Sequence, residues 1–472
     1  MRIAVGPRAV PILSVLLAGI VLAWPAYWNG YPLLFTDSAS YIGVLNPWGQ
    51  HWARPIFYSL ALWPLHLGIS LWPVVVAQGV LMAHLLWLVL RVVGGTVKPG
   101  VFALAVLLLA VGSSLPWYAA QVMPDLLTPA VVLCAFLLGF GGSRVGRWER
   151  AWLALLLAGA AACHLSHLPL AVGLLLGVAV LRWLARGPGG HGAALLPMAG
   201  AILLAASAHL AVNWAVRGAP VLSPASPLFL LARSVADGPA AAYLREVCPQ
   251  AGFRLCAEVD RLPADADLFL WDRDGPLWRA ARLKEEPERQ TAAGMDFQPE
   301  AQAILDGALA RHGGWQLAAA ARNVLLQFHR ADTADGLDPY GEGQAVSRAI
   351  RDEFPGEYAA YLGSRQSRGT LGRDAVNALH RPVLLAAAVL AVALAAFHAQ
   401  ARYRALVAVV ALGLLGNGIV AGALSGPHHR YQSRVACLIV LAAGVGLALP
   451  AQRRTRPGLA RAPMDRGARV AI

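Results

Sequence analysis

Four carboxylates stand apart in this chain. Of its 26 Asp and Glu, 22 fall between Val216 and His380, and the four outside that interval are Asp37, Asp125, Glu149 and Asp465. Glu149 and Asp465 have arginines as close neighbours and read as solvated or paired charges. Asp37 belongs to a polar knot, Tyr31-Pro32-Leu33-Leu34-Phe35-Thr36-Asp37-Ser38-Ala39-Ser40-Tyr41, and Asp125 to Met123-Pro124-Asp125, each beside long apolar runs. Keeping an acid that close to lipid is costly, so such a residue is a candidate proton acceptor, cation ligand or anchor for a bound polar group. The competing reading is a helix cap. It suits Asp125 best, just ahead of Leu126-Leu127, whereas the hydroxyls of Thr36, Ser38 and Ser40 suit a wet, shaped site at Asp37.

A membrane scaffold has to position these acids. The chain is 57% hydrophobic and 14% charged, with repeated apolar runs of nearly bilayer-spanning length, which makes it an all-α, polytopic membrane protein. About ten spans are predicted: Val10–Tyr27, Leu71–Val93, Val101–Leu115, Leu126–Phe140, Ala151–Cys163, Pro169–Leu184, Ala194–Ala215, Pro382–Phe397, Ala405–Leu424 and Val435–Leu449. The first imitates a signal peptide, but its apolar run continues through Trp24, Tyr27 and Trp28 without a small-residue cleavage site, so it is read as an uncleaved span. Pro55–Gly68 is short and interrupted by Pro64, and is predicted as a helix along the membrane surface. With that placement Asp37 and Asp125 share a face.

Basic residues set the orientation. Seventeen Lys and Arg fall on the side holding the N-terminus; the other side, the long loop apart, has four, namely Arg54, Arg381, Arg430 and Arg434. By the positive-inside rule both termini are cytoplasmic and the tail 451–472 faces anionic lipid. The formal charge of +13 therefore reports topology, and the scatter of the basic residues argues against a nucleic-acid partner.

Four segments follow: membrane spans one to seven (1–215), an extracytoplasmic domain (216–380), spans eight to ten (381–450) and the basic tail (451–472). The second holds 22 acids against 18 Lys and Arg, leaving −4, and is too long to be structureless. Its apolar spacing predicts helices over Glu300–Arg311, Trp315–His329 and Ala345–Leu362, with turns at Asp237-Gly238, Asp274-Gly275 and Gly313-Gly314. Cys248 and Cys256 lie close together here: an oxidising compartment would close them into a disulfide, the alternative being two buried thiols.

Three further clusters reach the face of the aspartates, one of them Trp117 and Tyr118 ahead of Asp125. His164-Leu165-Ser166-His167 puts two imidazoles at i, i+3, a spacing open to a metal, although hydrogen-bonding interfacial histidines read better without a local carboxylate. In His428-His429-Arg430-Tyr431-Gln432-Ser433-Arg434 the two arginines are i, i+4 on a helix and could offer two forks to one phosphate, or could snorkel to lipid headgroups.

An acid in the first outer loop (Leu34 to Tyr41), a second before the fourth span (Gln121-Val122-Met123-Pro124-Asp125), a surface helix between spans one and two and late basic residues resemble the membrane glycosyltransferases of the GT-C fold. The likeness covers about Val10–Phe140, with a lone Asp where members often carry two adjacent acids and a soluble domain placed mid-chain. It implies a bacterial-type inner membrane, a polyprenyl-phosphate-linked sugar as donor, an acceptor glycan, lipid or protein, and a site on the outer face. Asp37 would then be the catalytic base. Asp125 would orient the acceptor or share a divalent metal cation with Asp37, and Arg430 and Arg434, helped by His428, His429 and Tyr431, would hold the lipid phosphate. Two other readings stand beside it: a transporter or flippase for an anionic or lipid-linked substrate, and a metal-dependent hydrolase using His164, His167, Asp37 and Asp125.

Overall fold

The computed structural model describes residues 9–43, 53–186, 192–272, 274–280, 296–398 and 400–449. The basic tail lies outside them. The described chain is helical, with no strand, and one isolated bridge pairs Leu33 with Gln121.

The first half runs α1 (Ala9–Leu22), α2 (Trp24–Asn29), α3 (Ser38–Ile42), α4 (Phe57–His66), α5 (Trp72–Gly94), α6 (Pro99–Gly112), α7 (Leu115–Ala119), α8 (Leu127–Phe140), α9 (Arg147–Cys163), α10 (His167–Arg186) and α11 (Gly192–Arg217). The intervening domain holds α12 (Ser226–Asp237), α13 (Pro239–Val247), α14 (Ala266–Trp271), α15 (Pro276–Ala280), α16 (Gln298–Phe328), α17 (Ala345–Glu353) and α18 (Tyr358–Leu362). Three long helices close the described chain: α19 (Arg373–Phe397), α20 (Ala401–Leu424) and α21 (His429–Ala448).

This is a multi-pass membrane protein. Seven helical stretches are long and apolar enough to cross a bilayer: Val10–Asn29, Trp72–Gly94, His167–Ala185, Leu195–Arg217, Arg373–Phe397, Ala401–Leu424 and His429–Ala448. Ten were expected, and the other three correspond to shorter helices. α6 and α8 have 14 residues each and α9 has 17, against the roughly 20 that a bilayer asks for. Pro55–Gly68, expected as a surface helix, contains α4, whose apolar side chains Leu60, Trp63 and Leu65 are exposed.

α8 is the central element. Its residues Thr128 to Gly139 are all buried, and α5, α9, α10, α20 and α21 pack around it. Close packing elsewhere depends on small residues. Gly19 of α1 meets Gly79 of α5 so closely that a Cβ on Gly79 would collide with the Gly19 carbonyl, the small-on-small contact that lets membrane helices approach.

The domain between α11 and α19 has two parts. Leu228, Leu231, Leu244, Phe269, Phe297 and Ile304 form a core of its own. The later part packs Leu337, Ile350, Phe354 and Tyr361 into one cluster with Tyr31, Leu34 and Tyr41 of the polar knot. Cys248 and Cys256 form a disulfide, with Cα atoms 5.4 Å apart. The turn expected at Gly313-Gly314 is instead a kink at His312 within α16 (φ −122°, ψ 23°). Beyond it α16 packs against the membrane helix α20, because Gly418 and Gly422 leave room for Phe328 and Val324. Ala345–Leu362, expected as one helix, breaks at Pro355 into α17 and α18.

Candidate functional site

Backbone pairing brings the two aspartates to one place. Leu33 N–H donates to Ala120 C=O (2.9 Å) and Val122 N–H to Leu33 C=O (3.0 Å), zipping the polar knot onto the segment before Asp125. Ser38 reinforces the junction: its Oγ accepts from Phe35 N–H and donates to Val122 C=O, both at 2.9 Å. From beneath, Gln78 of α5 donates to the carbonyls of Ala119 (3.0 Å) and Gln121 (2.9 Å) and accepts from Tyr58 OH (2.7 Å).

Neither aspartate caps a helix. Asp265 does cap α14 through the N–H groups of Asp267 and Leu268, whereas Asp37 and the turn at Asp125 make no side-chain cap bond. Both carboxylates face guanidiniums. Arg54 Nη2 lies 2.7 Å from Asp37 Oδ1, with the Asp37 side chain 17% exposed. Asp125 is fully buried; Arg434 Nη1 lies 3.0 Å from its Oδ1, and Arg430 Nε 4.0 Å from the same oxygen.

The two arginines do different work. Arg434 is buried and also donates to Asn417 Oδ1 (2.9 Å) and Ser166 Oγ (3.4 Å), while Asn417 is itself fixed by donating to Tyr431 C=O and Gln432 Oε1. Arg434 is thus tied down on three sides. Arg430 stacks 3.9 Å above the Phe35 ring and 5.1 Å from the Tyr431 ring, and its Nη1 is buried without a hydrogen-bond partner. Asp125 Oδ2 is likewise buried and unpartnered. Buried donors and acceptors are nearly always satisfied, so an unpaired donor and an unpaired acceptor on one ion pair make this a candidate ligand site.

Tyr41 of α3 reports how tightly the charges gather. Burial raises its phenol well above the usual range; Arg54 and Arg430 act to lower it, and Asp37 and Asp125 to raise it.

The histidines divide. His167 has both ring nitrogens engaged, Nε2 with Thr128 Oγ1 (2.8 Å) and Nδ1 with Ala160 C=O (2.7 Å), so it has no lone pair for a metal. His164 Nδ1 accepts from Ser166 N–H (3.2 Å) and lies 2.8 Å from Ser166 Oγ, and its ring is 5.1 Å from that of His167. Burial first, then His167 and Arg434, hold His164 well below the ordinary imidazole range, leaving it neutral. His429 turns away to Asp332 (3.3 Å), and His428 to Asp267 (3.7 Å). The late cluster therefore brings Arg430, Tyr431 and Arg434 to the aspartates and gives its histidines to the intervening domain.

A shared divalent cation does not fit this arrangement. Guanidiniums stand against Asp37 and Asp125, and among the described residues no three His, Cys, Asp or Glu side chains gather as metal ligands.

Sequence reasoning missed several members of the site. In sequence Arg54 reads only as a topological charge, Asn417 and Phe35 carry no charge to flag them, and Asp335 is one of many acids in the intervening domain. Asp335 Oδ2 in fact accepts the Arg430 backbone N–H (3.0 Å). The turn-forming run Asp332-Thr333-Ala334-Asp335-Gly336 is the legible signal of a shaped loop there, and in the structure Ala334 and Gly336 take positive φ (65° and 72°).

No family model, curated protein or solved structure matches the chain.

Proposed function

We propose that this protein is an integral membrane glycosyltransferase that transfers a sugar from a polyprenyl-phosphate donor to an acceptor hydroxyl at the extracytoplasmic membrane face. The observation that carries this reading is the buried Asp125–Arg430 pair, with an unpartnered acceptor on Asp125 and an unpartnered donor on Arg430. A sugar phosphate supplies both complements: a phosphate oxygen for Arg430 Nη1 and a sugar hydroxyl for Asp125 Oδ2.

In the reaction the acceptor oxygen bonds to the anomeric carbon, the bond from that carbon to the phosphate oxygen breaks, and the polyprenyl phosphate leaves with the electron pair. The acceptor proton passes to Asp37, the more accessible carboxylate, which Arg54 orients. Arg430, seated on Phe35, meets the charge growing on the leaving phosphate. Arg434 touches no open space and is a positioning residue for Asp125. Because the leaving group is good and no metal is invoked, placement of the two substrates carries much of the catalysis.

The test uses purified protein and a polyprenyl-phosphate-sugar donor. Asp37→Asn should lower turnover by roughly 10²–10⁴-fold with folding retained. Arg430→Ala should weaken donor binding, since its phosphate contact exists before and during transfer. Near-normal transfer by folded Asp37→Asn would remove Asp37 as the base.

A further inference from the structure

Beside Asp37 lies a groove that the transfer chemistry leaves unused. It is an open groove between the start of α4 and the C-terminal end of α11. His209, Asn213 and Arg217 line it from α11 at i, i+4 and i+8, so they form one stripe on one helix face, spanning about 12 Å at 1.5 Å per residue.

The polar groups here are only partly satisfied. His209 is 3% exposed, its ring packs edge-on against Phe57 (5.0 Å), and its Nε2 is buried without a partner. Arg217 Nε is also buried without a partner. Asn213 donates to Val221 C=O (2.7 Å) and fixes the chain leaving α11 against the groove. Arg54 also lines the groove, its charge met by Asp37, and among the described residues no carboxylate lines it. On the surrounding surface Leu210, Trp214 and Leu222 are exposed, the kind of surface that faces lipid chains.

We propose that this groove binds a phosphate ester carrying a hydroxylated headgroup and an aliphatic chain. Arg217 meets the oxyanion as a charge-assisted donor. The His209 imidazole accepts a hydrogen bond from a headgroup hydroxyl when neutral, or donates to the oxyanion when protonated. The chain lies along the exposed apolar surface of α11. The same chemistry belongs to a bilayer lipid and to a soluble phosphate ester, and the site does not depend on the transferase reading.

The experiment is equilibrium binding to the purified full chain, without turnover, so its failure leaves the transferase reading standing. In phosphatidylcholine nanodiscs doped with phosphatidylglycerol, lipids retained by the protein are counted by native mass spectrometry. In undoped discs, glycerol phosphate is titrated and the thermal midpoint followed. Wild type should retain phosphatidylglycerol selectively, Arg217→Gln should bind it about 10-fold more weakly, and Arg217→Lys should recover part of that loss. If glycerol phosphate alone raises the midpoint, a soluble ester suffices; if only the lipid binds, the source is the bilayer; both support the site. Equal retention of the two lipids, or Arg217→Gln binding within twofold of wild type, overturns it. Should Arg217→Gln fail to fold, His209→Gln takes its place, and binding by that variant within twofold of wild type overturns the site.

Discussion

Asp125 and Arg434 show what a buried charge pair requires of its neighbours. Removing one partner leaves the other charged and dry, so Asp125→Ala should cost about 3–5 kcal/mol of stability, and Asp125→Asn less, because the amide still accepts from Arg434. Denaturant unfolding of both variants checks the order; equal losses would mean that the charge of Asp125 is not what holds Arg434. His164 gives a pH prediction. Its folded pKa lies below the unfolded value of about 6.5, so below that pH the unfolded chain takes up a proton that the folded one refuses. Stability from this group is therefore complete above about pH 6.5 and declines as pH falls. Thermal midpoints from pH 7.5 to 5 should drop, and His164→Gln should flatten that slope; an unchanged slope would place the proton uptake elsewhere.

At the scale of elements, the site depends on how closely a few helices approach. Gly79→Val would drive a side chain into the backbone of α1 at Gly19, and overpacking of this kind costs about 1–3 kcal/mol. Because α1 leads into the polar knot and α5 carries Gln78 beneath Gln121, the same variant should lower transfer activity as well as the thermal midpoint. A stable but inactive Gly79→Val would also be informative, since it would separate the register of the knot from global packing. Gly336 acts from the intervening domain. At φ 72° it adopts a left-handed conformation, and a Cβ there would collide with Phe35, the ring under Arg430. Gly336→Ala should therefore weaken donor binding more than it lowers turnover at saturation, a split that steady-state kinetics reads directly.

Across the whole molecule, the knot, the Asp125 turn, the start of α21 and the intervening domain meet on one face. Arg430 N–H bonds Asp335, Tyr31 OH donates to Glu357 (2.8 Å), and Gln366 exchanges hydrogen bonds with the backbone of Leu34. The proposed orientation follows from the basic residues. Reporter fusions at Gly189 and after Pro450 should read cytoplasmic, and one at Gly275 extracytoplasmic. A cytoplasmic signal at Gly275 would put the aspartates on the cytoplasmic face with the intervening domain and overturn the proposed extracytoplasmic site.

The sequence by itself determined the helical membrane class, because hydrophobicity and run length are local properties that a bilayer reads directly. It also singled out Asp37 and Asp125, since acids are scarce outside the intervening domain. Local pattern left the span count open, because 14 to 17 apolar residues suit either a short span or a buried helix such as α8. Only the tertiary structure decided what faces each acid. Arg54 is 17 residues from Asp37 and Arg434 is 309 from Asp125, and no periodicity links positions so far apart. The same holds for Phe35, Asn417 and Asp335, whose roles come from packing against Arg430 and Arg434. A guanidinium's partner is fixed by which helices pack side by side, and that is a property of the folded chain.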